Sequence, residues 1–275
     1  MRVFQTFWTK PMDKEKLRIN TYIAVLSLRH TQAAGYYVVM YTDTLGYSLL
    51  KDFGYDEINT ELDNIPDDIN PKFFAYPKFF AGMKEPLGSL HIDFDVFLKK
   101  PCVNKFFEDK SIDVILQCEE EYASFFPDYV DGRKIINLNE YPETFKVNHT
   151  HSSNVGIIGF NNKEFKDIYY SWYFDYIDFY KTRLNYLNGV HSELFAEQVN
   201  IDYLIQTNKY NCLYLLPVNT GSNHQEISDY ADTIGYQHLQ GTCKYKSKTM
   251  DKIKETLNKK FPGTLEKIEI LFNEN

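Results

Sequence analysis

Residues 3–8, Val-Phe-Gln-Thr-Phe-Trp, and residues 36–41, Tyr-Tyr-Val-Val-Met-Tyr, are apolar runs with the length and composition of buried strands. Between them, Lys14 to Ala34 places Leu17, Tyr22, Ile23, Leu26 and His30 near helical spacing, and Gly35 ends the helix. Strand, helix, strand in that order is the unit from which a parallel sheet with helical crossovers is built. The second run stops at Thr42-Asp43-Thr44, where the switch to polar residues predicts a loop at the strand's carboxyl end.

Further along, an acidic, turn-rich stretch from Asp63 to Pro71 precedes a helix expected from Pro77 to Met83. Leu87 to Leu98 reads as one strand, interrupted only by Asp93 and Asp95. Strands follow at Ile112–Cys118 and Ser153–Phe160, separated by a polar loop with Pro127, Gly132 and Pro142. Helices at Lys163–Arg183 and Ser192–Asn208, a strand at Cys212–Leu216 and a helix at Met250–Asn258 complete the reading. The expected fold is α/β, a mixed, mainly parallel sheet flanked by helices. It forms one domain over residues 1–246, with a C-terminal helical extension, 247–275, packed on it.

A chain of 275 residues that is 43% hydrophobic buries a core of ordinary size, which excludes a disordered protein. The formal charge of −8 argues against long nucleic-acid backbones, whose binding rests on Lys and Arg meeting several phosphates. A single nucleotide, its charge met by a metal, stays compatible. Cys102, Cys118, Cys212 and Cys243 are scattered and read as structural thiols of a reducing cytoplasm. The first residues carry neither the apolar region of a signal peptide nor a membrane span, so a cytoplasmic protein with at most peripheral membrane association is expected. Without secretion, the glycosylation acceptor pattern at Asn148-His-Thr150 has no meaning.

The chemistry concentrates at Asp93-Phe94-Asp95. Two carboxylates among apolar neighbours cost several kcal/mol per unpaired charge, so a cation or strong donors must meet them. On a strand, His91, Asp93 and Asp95 share one face. Hard oxygen ligands suit Mg²⁺ or Mn²⁺, which usually completes its shell with substrate phosphates. Near the other end, Tyr236-Gln-His-Leu-Gln-Gly-Thr-Cys-Lys244 offers an imidazole, His238, for the same metal, while the Gly241 backbone and the Lys244 ammonium reach a diphosphate.

This order of features resembles the retaining GT-A glycosyltransferases, a Rossmann-like class, and most of all the bacterial galactosyl- and glucosyltransferases related to glycogenin. The features are the strand Phe4–Thr9, the Asp-x-Asp strand, an Asn-x-Gly strand, a Glu-Gln helix and a late His-x-x-Gly-x-x-Lys. The likeness covers roughly residues 2 to 246 and is one of motif order. It implies a hexosyltransferase that takes a sugar from a nucleotide-diphosphate donor to a carbohydrate or glycoconjugate acceptor with retention, with Mn²⁺ or Mg²⁺ as cofactor. It implies that Asp93 and Asp95 are metal ligands with His238 as the third, and that Lys244 holds the departing diphosphate. Thr6, Trp8 and Asp43 would receive the nucleoside, Lys78 would contact phosphate or donor sugar, and Asn154 and Gly156 would line the sugar pocket. Glu197 and Gln198 would lie beside the anomeric carbon; Glu197 stands where an Asp is commoner.

Plainer readings stand beside these. Asp93-Phe94-Asp95 suits a chance pattern in a turn, His238 a hydrogen-bonded surface loop, Trp8 and Tyr41 sheet core, Glu197 and Gln198 a solvated helix face, Lys78 an exposed helix position and Asn154 a turn. The rings between residues 169 and 187 suit carbohydrate stacking or helix packing equally. Two other functions compete: a Mg²⁺-dependent phosphohydrolase using Asp93, and a nucleotide-sugar-binding protein without turnover. The first wants a polar residue after the second Asp and a later acidic pair, whereas Val96 and Phe97 follow here.

Overall fold

The computed structural model describes residues 1–121, 151–181 and 193–273. The loop expected around Pro127, Gly132 and Pro142, the Asn148–Thr150 pattern, and the helix ends expected at Arg183 and Ser192 lie outside the described residues. A mixed, mainly parallel sheet runs in the order β3 (Glu57–Asn59), β2 (Tyr37–Thr42), β1 (Arg2–Phe7), β4 (Leu90–Ile92), β7 (His151–Phe160), β6 (Val114–Glu121), β8 (Cys212–Tyr214), and a two-stranded sheet pairs β5 (Val96–Leu98) with β9 (Tyr236–His238). The chain divides into two units: residues 1–64, 91–102 and 232–275 form the first, and residues 65–90 and 103–231 the second.

In the first unit, β1 (Arg2–Phe7) lies parallel to β2 (Tyr37–Thr42), with Val3 opposite Val38 and Phe7 opposite Thr42, and β2 lies parallel to β3 (Glu57–Asn59). Helix α1 (Lys14–Ala33) joins β1 to β2; the Asp13 side chain caps it by accepting from Lys16 N at 2.8 Å, and Gly35, at φ 90°, follows its end. Tyr22, Ile23, Val25 and Leu26 of α1 pack in one apolar cluster with Phe97, Ile253, Leu257 and Ile268. Each fully buried side chain of that size is worth about 1.5–3 kcal/mol. The last two partners come from α8 (Ser247–Lys260) and α9 (Thr264–Asn273), so the C-terminal helices cover α1. Sequence periodicity anticipated only the middle of the first of these; Phe261-Pro-Gly263, with Gly263 at φ 79°, breaks the pattern and lets α9 fold back.

Two expectations are corrected in this unit. Thr42-Asp43-Thr44 does not open a loop: α2 (Thr44–Leu50) starts there, because Asp43 Oδ1 accepts from Gly46 N at 2.8 Å and so caps it. Gly46 is required at that turn, since a Cβ would stand 2.0 Å from Thr42 Oγ1. Nor is Leu87–Leu98 one strand. It is β4 (Leu90–Ile92), a β-turn and β5 (Val96–Leu98), with Val96 N bonded to Asp93 O at 2.9 Å. A continuous strand would set His91, Asp93 and Asp95 in a row on one face, whereas the turn breaks the row and changes sheets between the two acids.

In the second unit, β6 (Val114–Glu121) pairs antiparallel with β7 (His151–Phe160) and parallel with β8 (Cys212–Tyr214). Helices α3 (Tyr76–Lys84), α4 (Asn104–Glu108), α5 (Lys163–Tyr180), α6 (Asn200–Asn208) and α7 (His224–Ile234) accompany them. The helix expected through Asn208 contains a wider turn at Phe195–Val199, where Asn200 N–H reaches back to Phe195 O. Such π-turns shift side chains off helical phase and recur at functional sites. Among the described residues, no helix is long and apolar enough to cross a membrane, and the four cysteines are unbonded thiols.

Candidate functional site

The first unit builds its site on the Asp93–Val96 turn. Ser27, inside α1, donates to the Val96 carbonyl and accepts from Gln5 Nε2 at 2.7 Å, so one buried hydroxyl ties β1, α1 and the start of β5 together. Strand β9 (Tyr236–His238) sets His238 opposite Val96, and Leu239 N bonds the Asp95 carbonyl at 3.0 Å. The two distant segments are therefore joined by backbone before any side chain meets. His238 Nε2 then lies 3.3 Å from Asp95 Oδ1.

A short 3₁₀ turn, Gly241–Tyr245, follows, with Gly241 at φ 59°, a left-handed conformation that favours glycine. It returns Lys244 Nζ to within 2.6 Å of Asp95 Oδ2. The ammonium also stands 5.4 Å from the Phe94 ring, which packs edge-on against Phe7. Burial alone would raise the Asp95 carboxyl, but the charges of His238 and Lys244 outweigh it and hold the group well below the usual carboxylate range. Burial likewise works against the Lys244 charge, and Asp95 reverses that, so its pKa is raised and the lysine is a cation at neutral pH.

Asp93 is more open, its carboxylate 3.8 Å from the buried His91 ring. Thr6 Oγ1 lies 3.4 Å from the other side of that ring. Asp93, Asp95 and His238 each present one ligand atom, all within 4.8 Å of one another. Two carboxylates and an imidazole at that separation fit a single divalent ion, so the donor set matches the Mg²⁺ or Mn²⁺ that the sequence suggests.

The other predicted residues of this unit are buried in the fold. Trp8 carries Lys10 Nζ 6.0 Å from its ring centre. Both oxygens of Asp43 are engaged, Oδ1 by Gly46 N and Oδ2 by Thr9 N and Thr9 Oγ1, each at 2.8 Å. Asp43 therefore splices the end of β1 to the start of α2, and Tyr41 is sheet core.

In the second unit, Lys78 and Glu197 are not exposed helix residues. Lys78 Nζ donates to Glu197 Oε1 at 2.6 Å and to Val155 O at 3.1 Å, in a pair of which Glu197 is 2% exposed. Glu197 sits in the π-turn, and its backbone carbonyl accepts from Tyr169 OH at 2.8 Å. Gln198 is buried beside it. Asn154 is no turn residue but lies within β7, where Oδ1 accepts from Gly156 N at 3.0 Å and Nδ2 donates to Glu120 Oε1 at 3.2 Å.

Sequence reasoning passed over Glu193. This fully buried acid accepts from Ala75 N at 3.0 Å and from Tyr173 OH at 2.5 Å, fastening the start of α3 one turn before Lys78. Burial drives its carboxyl pKa well up, and the Glu197 charge adds to that, against the bond from Tyr173. Tyr169, Tyr173 and Tyr176 of α5 are buried, and Tyr173 stacks on Phe79 at 3.5 Å between centroids, which is helix packing.

Fold and site together define an α/β protein with a carboxylate–imidazole cluster in which a resident lysine already pairs with one of the two carboxylates. The chain belongs to the family described as a family of unknown function, DUF6734, whose model matches residues 1–271. No curated protein matches its sequence significantly. Among solved structures, mouse xyloside xylosyltransferase 1 in its apo form is similar at a TM-score of 0.45 and 12% identity, over 88% of this chain and 97% of that one. The galactosyltransferase LgtC, in complex with donor and acceptor sugar analogs, is similar at 0.46 and 10% identity, over 100% and 96%. The glycosyltransferase GlyE of Streptococcus pneumoniae reaches 0.37 and 16% over 77% and 45%. All three are distant likenesses.

Proposed function

We propose that the protein transfers a sugar from a nucleotide-diphosphate donor to a carbohydrate or glycoconjugate acceptor, with a divalent ion held by Asp93, Asp95 and His238. The observation that carries this reading is the convergence on one carboxylate, Asp95, of a metal-ligating set and a charged lysine. A bound Mn²⁺ or Mg²⁺ supplies charge neutralisation for the diphosphate leaving group. Lys244, whose ammonium stands on Asp95 beside that set, would add a second positive charge for the same leaving group. Thr6, Trp8 and the Gly241 backbone belong to the same unit and are assigned to the donor's nucleoside and phosphates; Asp43, bonded to Thr9, fixes the chain just after Trp8. Lys78 is assigned to phosphate or donor sugar, and Asn154, Gly156, Glu197 and Gln198 to the sugar, with Glu197 or Gln198 offering a dipole or charge to the oxocarbenium-like state. Retention of configuration follows the family resemblance.

The test is a panel of nucleotide sugars, incubated with Mn²⁺ or with EDTA, followed by assay of free nucleoside diphosphate. Metal-dependent release from one donor is expected. Tight binding of a nucleotide sugar that stays intact with every acceptor class would replace transfer by binding without turnover. Release unaffected by EDTA would remove the metal from the reading.

A further inference from the structure

Lys244 stands on the central carboxylate of the metal-ligating set. Its ammonium is 2.6 Å from Oδ2, on the oxygen away from His238, whose Nε2 is 3.3 Å from Oδ1, so the charge of the central ligand is already paired with a cation. The contact is buried, with the Lys244 and Asp95 side chains 18% and 7% exposed, so water screens it little. Phe94 and Tyr245 ring faces flank the ammonium at 5.4 and 5.8 Å and favour a cation in that place. A divalent ion entering beside it meets a like charge and a carboxylate already spent on an ion pair. A diphosphate changes this balance, because it offers the lysine an alternative anion and leaves the Asp95 charge to the metal.

We propose that Lys244 is a built-in lock on the metal site: it blocks binding of the ion alone and is drawn off Asp95 by the diphosphate, so ion and nucleotide bind as a coupled pair. The inference rests on the metal reading above and adds an order of events to it. Coupling of this kind is reciprocal, so the ion strengthens nucleotide binding by the same factor that the nucleotide strengthens binding of the ion.

The experiment measures Mn²⁺ affinity by calorimetry and by the electron paramagnetic resonance signal of free Mn²⁺, with and without a saturating nucleoside diphosphate chosen from the panel. Wild type, Lys244→Met, Lys244→Gln and Lys244→Arg are compared, with circular dichroism and melting temperature reporting folding. For wild type, weak binding of Mn²⁺ alone and roughly tenfold or greater tightening with nucleotide are expected. In Lys244→Met, Mn²⁺ alone should bind roughly tenfold tighter, with the coupling reduced, and Lys244→Gln, which keeps a polar end without charge, repeats the test if the Met variant misfolds. Lys244→Arg keeps the charge and should behave as wild type. If removing the lysine's charge leaves Mn²⁺ affinity unchanged or weakens it, the lock is wrong while the metal site stands. If no variant binds Mn²⁺ with or without nucleotide, the metal reading itself fails.

Discussion

At the scale of single residues, Asp95 holds the site together, and the test of it separates charge from shape. Asp95→Asn keeps volume but removes the anion that serves both the metal and Lys244. Mn²⁺ binding should fall by at least about tenfold. The melting temperature should fall too, by the equivalent of about 1–3 kcal/mol, because a buried ammonium loses its partner. Unchanged Mn²⁺ affinity in a folded variant would make the carboxylate purely structural. Asp43 offers the opposite case, a carboxylate whose three hydrogen bonds all serve the fold. Asp43→Ala should cost about 2 kcal/mol in urea unfolding, through the lost cap on α2 and the freed Thr9 amide. A loss of nucleotide affinity with stability intact would instead show that Asp43 reaches the ligand. The sequence marked Asp93, Asp95 and His238 because buried acids need a cation, and that argument is independent of geometry. It was silent on Glu193, since an acid inside a helix looks the same whether it faces water or a tyrosine.

At the scale of elements, the two acids needed a turn and the sequence suggested a strand. Alternation of His91, Asp93 and Asp95 is what period-two pairing predicts, and a β-turn between two short strands leaves the same spacing. Only the partner strand β9, more than a hundred residues away, distinguishes them, by pairing with Val96 and not with Asp93. The π-turn was equally hidden, because one extra residue in a turn alters phase without altering composition. Glu197 within it and Glu193 just before it clamp α3, Glu193 holding Ala75 and Glu197 holding Lys78. Glu193 carries a raised pKa, so the fold holds it protonated where the unfolded chain, at 4.5, has already lost the proton. Its contribution to stability is therefore full below that value and declines as pH rises toward the folded pKa. Glu193→Gln keeps a neutral acceptor for Ala75 N and Tyr173 OH and should be at least as stable as wild type at pH 7, most visibly at the alkaline end. Glu193→Ala, which loses both bonds, should be clearly less stable. A Gln variant as unstable as the Ala variant would show that Glu193 is ionised in the fold.

At the scale of the molecule, the alternation of strands and helices was legible from the start. Lys14–Ala33 and the two strands around it fall within a residue or two of the periodicity, since a long amphipathic helix and two apolar runs leave few alternatives. The C-terminal helices were half legible, and their placement over α1 was not, because what covers a helix is set by the whole sheet. His30 lies at that junction, its ring 6.1 Å from Phe97 of β5 and 5.5 Å from Phe261 between α8 and α9. Burial, helped by the charges of Lys260 and Lys99, lowers its pKa from 6.5 to about 4. The folded state thus resists a proton that the unfolded chain accepts, so stability is full above pH 6.5, is lost as pH falls from there to about 4, and levels off below. Integrated over that window the loss is of order 3 kcal/mol. Urea unfolding of wild type and His30→Leu at pH 7, 5.5 and 4 isolates it, since the other groups titrate alike in both. The wild type should lose more stability than the variant between pH 7 and 4, by an amount approaching that figure. Parallel curves would mean that the imidazole is protonated without disturbing the packing of α8 and α9 on α1, and that the junction is wetter than its ring contacts imply.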